Sequence, residues 1–295
     1  MGPGSAAALA GHEEEGVTPY TIHRPVGSRL PLLFDSPHSG RRYPESFRYQ
    51  APLLALRQTE DAYVDRLLAG APERGVTLLL AEIPRVYLDL NRDADDIDAE
   101  LLAEPWPGTL NPTAKTRRGL GLIRRFALPG VPVYGERLTV ADVQARIETI
   151  HVPYHRCLQQ ELAGLRDEFG FAWHIDWHSM KSIGNAMTED NGQRRADFVL
   201  GDLDGTSCEA ALTALAAETL TSFGYQVAIN RPYKGAAIVR RCGRPAEGLH
   251  SLQIEINRAL YLDEATVEPG AGLDAIGRDI GRLTARLAEA LRQRA

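Results

Sequence analysis

Cysteine residues and long apolar runs are both scarce in this chain of 295 residues. The three cysteines, Cys157, Cys208 and Cys242, are widely spaced and form no Cys-x-x-Cys pair, which argues against a disulfide framework and a cysteine-ligated metal site. No apolar stretch approaches the length of a membrane span, so a membrane partner is not expected. A net charge of −6 argues against nucleic acid as a partner. The cytoplasm is the expected location.

The chain also lacks the Gly-x-Gly-x-x-Gly, Gly-Lys-Ser/Thr and Gly-x-Ser-x-Gly motifs of nucleotide-binding proteins and serine hydrolases. A composition of 44% hydrophobic and 24% charged residues is that of an ordinary globular protein. Residues 1–18 have no basic start and only a short apolar run, so we expect a disordered leader rather than a signal peptide. Residues 19–295 are expected to form a single catalytic α/β domain.

Strand and helix patterns alternate along the chain, which predicts an α/β fold with a mostly parallel or mixed sheet. The predicted strands cover residues 30–34, 77–83, 86–90, 171–176, 197–200, 225–229, 236–240 and 249–256. The predicted helices cover residues 52–69, 139–169, 207–223 and 273–291, with an N-cap at Thr139, a kink or restart at Pro153 and a C-cap at Gly224. Residues 93–119 lack periodicity, and an irregular segment of that length is usually a functional loop.

Histidine residues follow two predicted strands, at the sheet edge where open α/β folds place their chemistry. His38 follows the first strand, and His178 follows the strand at residues 171–176. Two such histidines near carboxylates favour a metal site, and catalytic zinc typically takes two His and a carboxylate. The third ligand is expected from Glu60, Asp61 or Asp65, and helical periodicity does not choose among them.

Glu255 lies inside the predicted strand at residues 249–256, on the face opposite Leu252, Ile254 and Ile256. Burying a carboxylate in the middle of a strand is costly, so such a residue is usually exposed, paired or catalytic. Its position in an otherwise apolar run makes it a candidate for catalysis.

Two basic segments are candidates for binding an anionic substrate. Asn91 and Arg92, which follow Arg85, offer an amide beside a planar guanidinium, although a structural ion pair with Asp89 would also explain the arginines. The second segment, residues 231–245, contains Lys234 and Arg240 and would clamp a substrate if it lay close to the site.

Four further histidines have no settled role. His151 and His155 have the spacing of a zinc-protease pair, but no Glu follows His151 and Pro153 interrupts the helix. His174 is either a neighbour of the metal ligands or a core histidine, and no pattern assigns His250.

Six motifs together resemble the N-formylglutamate amidohydrolase (deformylase) family. They are Ser-Pro-His-Ser-Gly (36–40), Thr-Glu-Asp (59–61), Arg-Val-Tyr-Leu-Asp-Leu-Asn-Arg (85–92), Asp-Trp-His-Ser-Met (176–180), Asn-Arg-Pro-Tyr-Lys-Gly (230–235) and His-Ser-Leu-Gln-Ile-Glu (250–255). The family is similar to zinc carboxypeptidases and aspartoacylases. The resemblance therefore implies a three-layer α/β/α sandwich with a mixed central sheet.

The resemblance also implies the site and its reaction. One Zn²⁺ per chain would be held by His38, Asp61 and His178, with Glu255 activating water and Arg85 polarising the scissile carbonyl. Asn91 and Arg92 would bind the substrate α-carboxylate, and Lys234 or Arg240 its side-chain carboxylate. The expected reaction is the hydrolysis of N-formyl-L-glutamate to formate and L-glutamate, a step of histidine degradation. The alternatives are a related zinc deacylase or carboxypeptidase acting on another N-acyl amino acid, and a non-catalytic anion-binding protein.

Overall fold

The computed structural model describes residues 18–294, so nearly all of the predicted leader lies outside the described residues. Within them, the strands are β1 (Tyr20–His23), β2 (Leu32–Ser36), β3 (Thr77–Ala81), β4 (Phe126–Leu128), β5 (Val131–Pro132), β6 (Ala172–Met180), β7 (Phe198–Gly201), β8 (Val227–Ile229) and β9 (Leu249–Asn257). Seven of them form one sheet in the order β1-β3-β2-β6-β9-β7-β8, while β4 and β5 pair separately. β3, β2, β6 and β9 are parallel, and antiparallel pairing at both sides makes the sheet mixed, as predicted.

The helices are mostly short, and two of them are long. They are α1 (Leu53–Arg57), α2 (Val64–Leu68), α3 (Ala114–Arg117), α4 (Val140–Arg146), α5 (Val152–Phe169), α6 (Ala210–Ser222), α7 (Ala237–Cys242) and α8 (Leu273–Arg294). Three-residue 3-10 helices cover Pro72–Arg74, Ala99–Leu101, Pro245–Glu247 and Arg258–Leu260, and a π-helical turn covers Ile147–His151. Within residues 18–294, no helix combines the length and apolarity needed to cross a bilayer.

Helices cover both faces of the sheet. α2, α6 and α8 pack on one face, where Phe34, Trp177 and Ile254 contribute to the core. α5 and α7 pack on the other face, over Leu33 and Leu249. Because each sheet face is covered by helices, the fold is the three-layer α/β/α sandwich with a mixed central sheet that the resemblance implied.

Two predicted strands are wrong. Residues 86–90 form turns, since the amides of Tyr87 and Leu88 both donate to the carbonyl of Pro84. Residues 236–240 enter helix α7, in which Ile238 and Val239 are fully buried. Both segments are short apolar runs that tertiary contacts bury, and a short apolar run does not by itself distinguish strand from helix.

The helix predicted over residues 52–69 is interrupted. Residues 58–63 separate α1 from α2, and Tyr63 adopts a left-handed conformation with φ of 65°. The amide of Asp61 donates to the carbonyl of His38 at 2.9 Å instead of to a helical acceptor. The interruption therefore brings Asp61 to the loop that follows β2.

The helix predicted over residues 139–169 is continuous. It begins at a capping box formed by Thr139 and Asp142, as predicted, and passes from α4 through the π-helical turn into α5. Pro153 has no amide hydrogen, and its ring crowds the carbonyl four residues earlier. The wider π-helical turn just before it accommodates the proline, so the predicted kink is a local widening of one helix.

Candidate active site

Polar side chains gather at the carboxyl ends of β2, β6 and β9. His38 follows β2 by two residues. His178 in β6 and Glu255 in β9 are direct partners in the parallel register, so both side chains leave the same face of the sheet. This is the sheet edge at which α/β proteins assemble sites from several strands.

Asp61 lies between two imidazole rings whose centroids are 4.6 Å apart. Its Oδ2 atom is 3.0 Å from His178 Nδ1 and 3.6 Å from His38 Nδ1. All three side chains are buried, and one ligand atom from each lies within 4.8 Å of the others. Two histidines and a carboxylate are the donor set of many catalytic zinc sites, so this cluster could hold a metal ion.

The second ring nitrogen of each histidine lies beside a carboxylate. His38 Nε2 is 2.7 Å from Asp89 Oδ1, and His178 Nε2 is 2.9 Å from Asp176 Oδ1. Carboxylates at this position commonly orient histidines that ligate metals. His38 Nδ1 is buried and has no hydrogen-bond partner among the described residues, which leaves it free for a metal. The side chains present therefore fit a metal ion.

Burial and charge set the protonation of this cluster. Burial lowers the pKa of His38 to about 4. Burial also opposes the charged form of His178, but Asp176 and Asp61 raise its pKa well above the ordinary value. Burial would raise the pKa of Asp61, yet the hydrogen bond from His178 and the nearby His38 and Arg85 hold that pKa well below its usual range. The centre thus keeps an anionic carboxylate, whose Oδ2 atom can face either a protonated His178 or a metal ion.

Three arginines hold the carboxylates around the cluster. Arg85 donates to Asp89 Oδ2 through Nε at 3.2 Å and Nη2 at 2.8 Å. Arg258 donates to Asp61 Oδ1 at 2.8 Å, and Arg124 Nη2 lies 3.5 Å from Asp89 Oδ2. Because Arg258 occupies Oδ1 of Asp61, the other oxygen is the one that faces the histidines.

Glu255 is buried beside the cluster, and its Oε1 atom accepts a hydrogen bond from Gln253 at 3.1 Å. Burial raises the pKa of Glu255, although the positive charges of His178 and Arg85 oppose the shift. A carboxylate whose pKa is raised toward neutrality is suited to accept and return a proton.

A cavity of about 380 Å³ opens onto Glu255 and the cluster, and basic side chains dominate its walls. They include Arg85, Arg92, Lys115, Arg124, Arg195 and Arg258.

Two of these cations lack a counterion. Arg92 donates to the backbone carbonyls of Leu120 and Asn91, and the Lys115 ammonium faces the ring of Tyr233. In the part of the chain that the structure describes, neither has a carboxylate at ion-pair distance. A cavity of this size with unpaired positive charge suits a small anionic ligand.

The two remaining predicted substrate-binding cations differ in position. Lys234 lies at the cavity rim, where its exposed ammonium is 2.8 Å from Asp204. Arg240 does not line the cavity, and it pairs with Asp93. The structure therefore brings Lys234 to the cavity and leaves Arg240 outside it.

The other acids considered as ligands are engaged elsewhere. Glu60 accepts a hydrogen bond from the Tyr43 hydroxyl at 2.6 Å, and Asp65 lies 3.6 Å from Arg41. Of the three candidate acids, Asp61 is the one that joins the two histidines. His174 lies 2.9 Å from Asp35 in the core, and His250 accepts a hydrogen bond from the amide of Glu209.

Lys115, Arg124 and Arg258 were not predicted as members of the site. Lys115 lies in the four-residue helix α3 and Arg124 in a basic run just before β4, and in this part of the sequence no periodicity indicates which cation points inward. Arg258 could have been found from the sequence, because the dipeptide Asn257-Arg258 at the end of β9 has the same residues as Asn91-Arg92.

Comparisons with known proteins show the family to which the chain is similar. The sequence model of a family described as N-formylglutamate amidohydrolase matches residues 30–262. The chain is 35% identical to an N-formylglutamate deformylase of Pseudomonas aeruginosa over 243 residues, which are 80% of this chain and 84% of the relative. An N-formylglutamate deformylase of Pseudomonas putida is 30% identical over 243 residues, 80% of this chain and 83% of its own length. A crystal structure of an N-formylglutamate amidohydrolase from Ralstonia eutropha superposes with a TM-score of 0.88 at 44% identity, over 94% of this chain and 99% of that one.

Proposed function

Because the chain belongs to the N-formylglutamate amidohydrolase family, whose members hydrolyse an amide bond, we propose that it hydrolyses N-formyl-L-glutamate to formate and L-glutamate with the help of one zinc ion. The observation that carries this proposal is the buried cluster of His38, Asp61 and His178 facing Glu255 in a cavity rich in cations. The same reaction would serve histidine degradation.

His38 Nδ1, His178 Nδ1 and Asp61 Oδ2 would hold the zinc ion. When bound, zinc lowers the pKa of water to about 7 and polarises a carbonyl oxygen. Asp89 orients the His38 ring through a hydrogen bond with Nε2, Asp176 Oδ1 lies 2.9 Å from Nε2 of His178, and Arg258 orients Asp61.

Glu255 takes the proton of the attacking water and delivers it to the leaving amine nitrogen. Its register opposite His178 places it beside the metal ligands, and its raised pKa favours proton return. Arg85 is held by Asp89, whose Oδ2 atom accepts from both Nε and Nη2 of the guanidinium. Arg85 would donate to the oxygen of the formyl group as negative charge develops there. Removing one such donor typically costs about 3–4 kcal/mol of transition-state stabilisation.

Arg92 binds the substrate α-carboxylate, because its guanidinium faces the cavity without a counterion. Asn91 contributes one N–H of its amide, whose Oδ1 accepts from the Ile238 amide and whose Nδ2 is 3.0 Å from His178 Nε2. Lys115 and the rim residue Lys234 supply the remaining positive charge for a substrate with two carboxylates.

The proposal is tested by formate release from three matched substrates. N-formyl-L-glutamate should be hydrolysed efficiently, while N-formyl-L-glutamine and the α-amide of N-formylglutamate should have higher KM values because each lacks one carboxylate. N-acetyl-L-glutamate tests the acyl group. No formate release from N-formylglutamate by metal-loaded enzyme would refute the proposed reaction, and faster turnover of the acetyl substrate would make the chain a deacylase of another kind.

A further inference from the structure

His151 and His155 have the spacing of a metal-binding pair, yet their contacts in the structure are with the protein backbone. Both rings are buried, with centroids 4.2 Å apart. His151 Nε2 lies 3.0 Å from the carbonyl oxygen of Arg92, and His155 Nε2 lies 2.9 Å from that of Leu90. A carbonyl only accepts hydrogen bonds, so Nε2 of each ring carries the proton and donates.

These bonds hold the segment that carries the substrate-binding pair. Residues 90–92 belong to no strand or helix, so their carbonyls have no ladder partners. The carbonyl of Leu90 accepts from His155, that of Asn91 from the Arg92 guanidinium, and that of Arg92 from His151. Three consecutive carbonyls are therefore each held by a side chain.

The helix geometry explains how both rings reach the segment. His151 ends the π-helical turn and His155 lies one turn later in α5, so the two side chains share one helix face. Tyr154, on the same helix, donates to Asp35 of β2 at 2.8 Å and fixes this face against the sheet. Burial lowers the pKa of His151 to about 4 and that of His155 well below its ordinary value. The lowered pKa values favour the neutral ring, and its single N–H is then the one on Nε2 that donates to the carbonyl.

We propose that His151 and His155 are positioning residues that fix the backbone of residues 90–92, and through it the side chains of Asn91 and Arg92, for binding the substrate α-carboxylate. The inference rests on the proposed function, since it concerns the same substrate. It assigns the pair a role in substrate affinity and none in metal binding.

The test compares variants with and without the Nε2–H donor. H151Q and H155Q keep an amide N–H near the position of Nε2, whereas H151N and H155N are polar but too short to reach the carbonyls. The Asn variants should raise KM for N-formylglutamate at least tenfold, with kcat within threefold and metal content unchanged. KM for the α-amide analogue should change less than twofold, and the Gln variants should recover most of the lost affinity. H250N is the matched control, because His250 is also buried but bonds to Glu209 far from this segment.

The inference would be overturned if the Asn variants raised KM equally for N-formylglutamate and its α-amide analogue, or if the Gln variants did not restore the lost affinity. The pair would then have only a structural role. Unchanged KM in folded Asn variants would also overturn the inference, and loss of bound metal would show that the pair belongs to the metal site. Wild-type activity toward N-formylglutamate separates these outcomes from failure of the proposed function.

Discussion

At the scale of single residues, the proton transfer proposed for Glu255 can be distinguished from a structural role. Glu255→Gln keeps the size of the side chain and its contact with Gln253 but cannot accept a proton. We expect kcat to fall by about 10²- to 10⁴-fold, the usual contribution of a positioned acid–base group, while metal content and melting temperature stay near wild type. Lost stability with a nearly unchanged kcat would identify Glu255 as structural.

We expect the substrate affinity of the site to depend on pH through one ammonium group, that of Lys115. The positive charge of Arg92, together with burial and Arg85, lowers the pKa of Lys115 to about 7, against the opposing effect of Glu255 and Asp89. A bound carboxylate favours the charged form, so substrate binding should be accompanied by proton uptake. As pH rises above 7 the free enzyme loses this charge, and affinity should fall.

This dependence is measured as the Kd of N-formylglutamate in the inactive Glu255→Gln protein. Loss of the Glu255 charge lowers the pKa of Lys115 further in this protein, so between pH 6.5 and 8.5 we expect Kd to rise by at least about tenfold, with one proton linked to binding. Adding Lys115→Arg, which stays charged throughout this range, should flatten the curve. The exposed Lys234, paired with Asp204, is the matched control, and a Lys234→Arg protein should keep the slope. A slope that survives Lys115→Arg would rule out Lys115 as its source.

The main residues of the candidate site could be predicted from the sequence, because each lies within an apolar strand or follows one. His38, His178 and Glu255 were predicted in this way, and the structure places them together. Lys115 and Arg124 were not predicted, because a cation in a sequence without periodicity is usually solvated and nothing separates the inward-facing ones from the rest.

At the scale of secondary structure elements, the interruption between α1 and α2 brings Asp61 into the candidate metal cluster. Residues 58–63 contain no Gly or Pro, so the sequence predicts an unbroken helix. The break is stabilised by tertiary bonds instead, from the Asp61 amide to His38 and from Arg258 to the Asp61 carboxylate. Local propensity cannot reveal bonds to residues that are distant in the chain.

The interruption predicts which acid binds the metal. Asp61→Asn should reduce metal occupancy at least tenfold in the folded protein, because the neutral amide is a weak ligand. Glu60→Gln and Asp65→Asn, in the same segment, should keep one metal per chain, since Tyr43 and Arg41 engage those acids outside the cluster. Elemental analysis of the three proteins is the measurement. Full occupancy in Asp61→Asn would move the ligand to another acid.

Tertiary contacts also explain why residues 236–240, predicted as a strand, enter helix α7. The run Ala-Ala-Ile-Val is apolar on all sides, which is equally compatible with a buried strand and a buried helix turn. The choice is made by tertiary structure, because the Ile238 amide donates to Asn91 Oδ1 at the start of α7. Helix α7 therefore bonds to the segment of residues 90–92, which His155 of α5 and the preceding His151 also hold.

At the scale of the whole molecule, the fold concentrates opposite charges in two adjacent places. Although the net charge of the chain is −6, the cavity wall is strongly basic, while the candidate metal cluster next to it is anionic. The α/β fold class followed from the alternation of strands and helices and the three-layer sandwich from the family resemblance, whereas this separation of charge depends on which loops meet at the sheet edge. The anionic cluster suits a metal cation, and the basic cavity wall suits a substrate with two carboxylates.

The central claim is that one zinc ion in the His38–Asp61–His178 cluster makes this chain an N-formylglutamate deformylase. The most direct measurement is a titration of chelator-treated protein with Zn²⁺, in which bound metal and formate release from N-formyl-L-glutamate are followed in the same samples. We predict that activity is absent without metal, rises in proportion to bound zinc and reaches its maximum at one ion per chain. Full formate release from metal-free protein, or one zinc per chain without any formate release, would contradict the account.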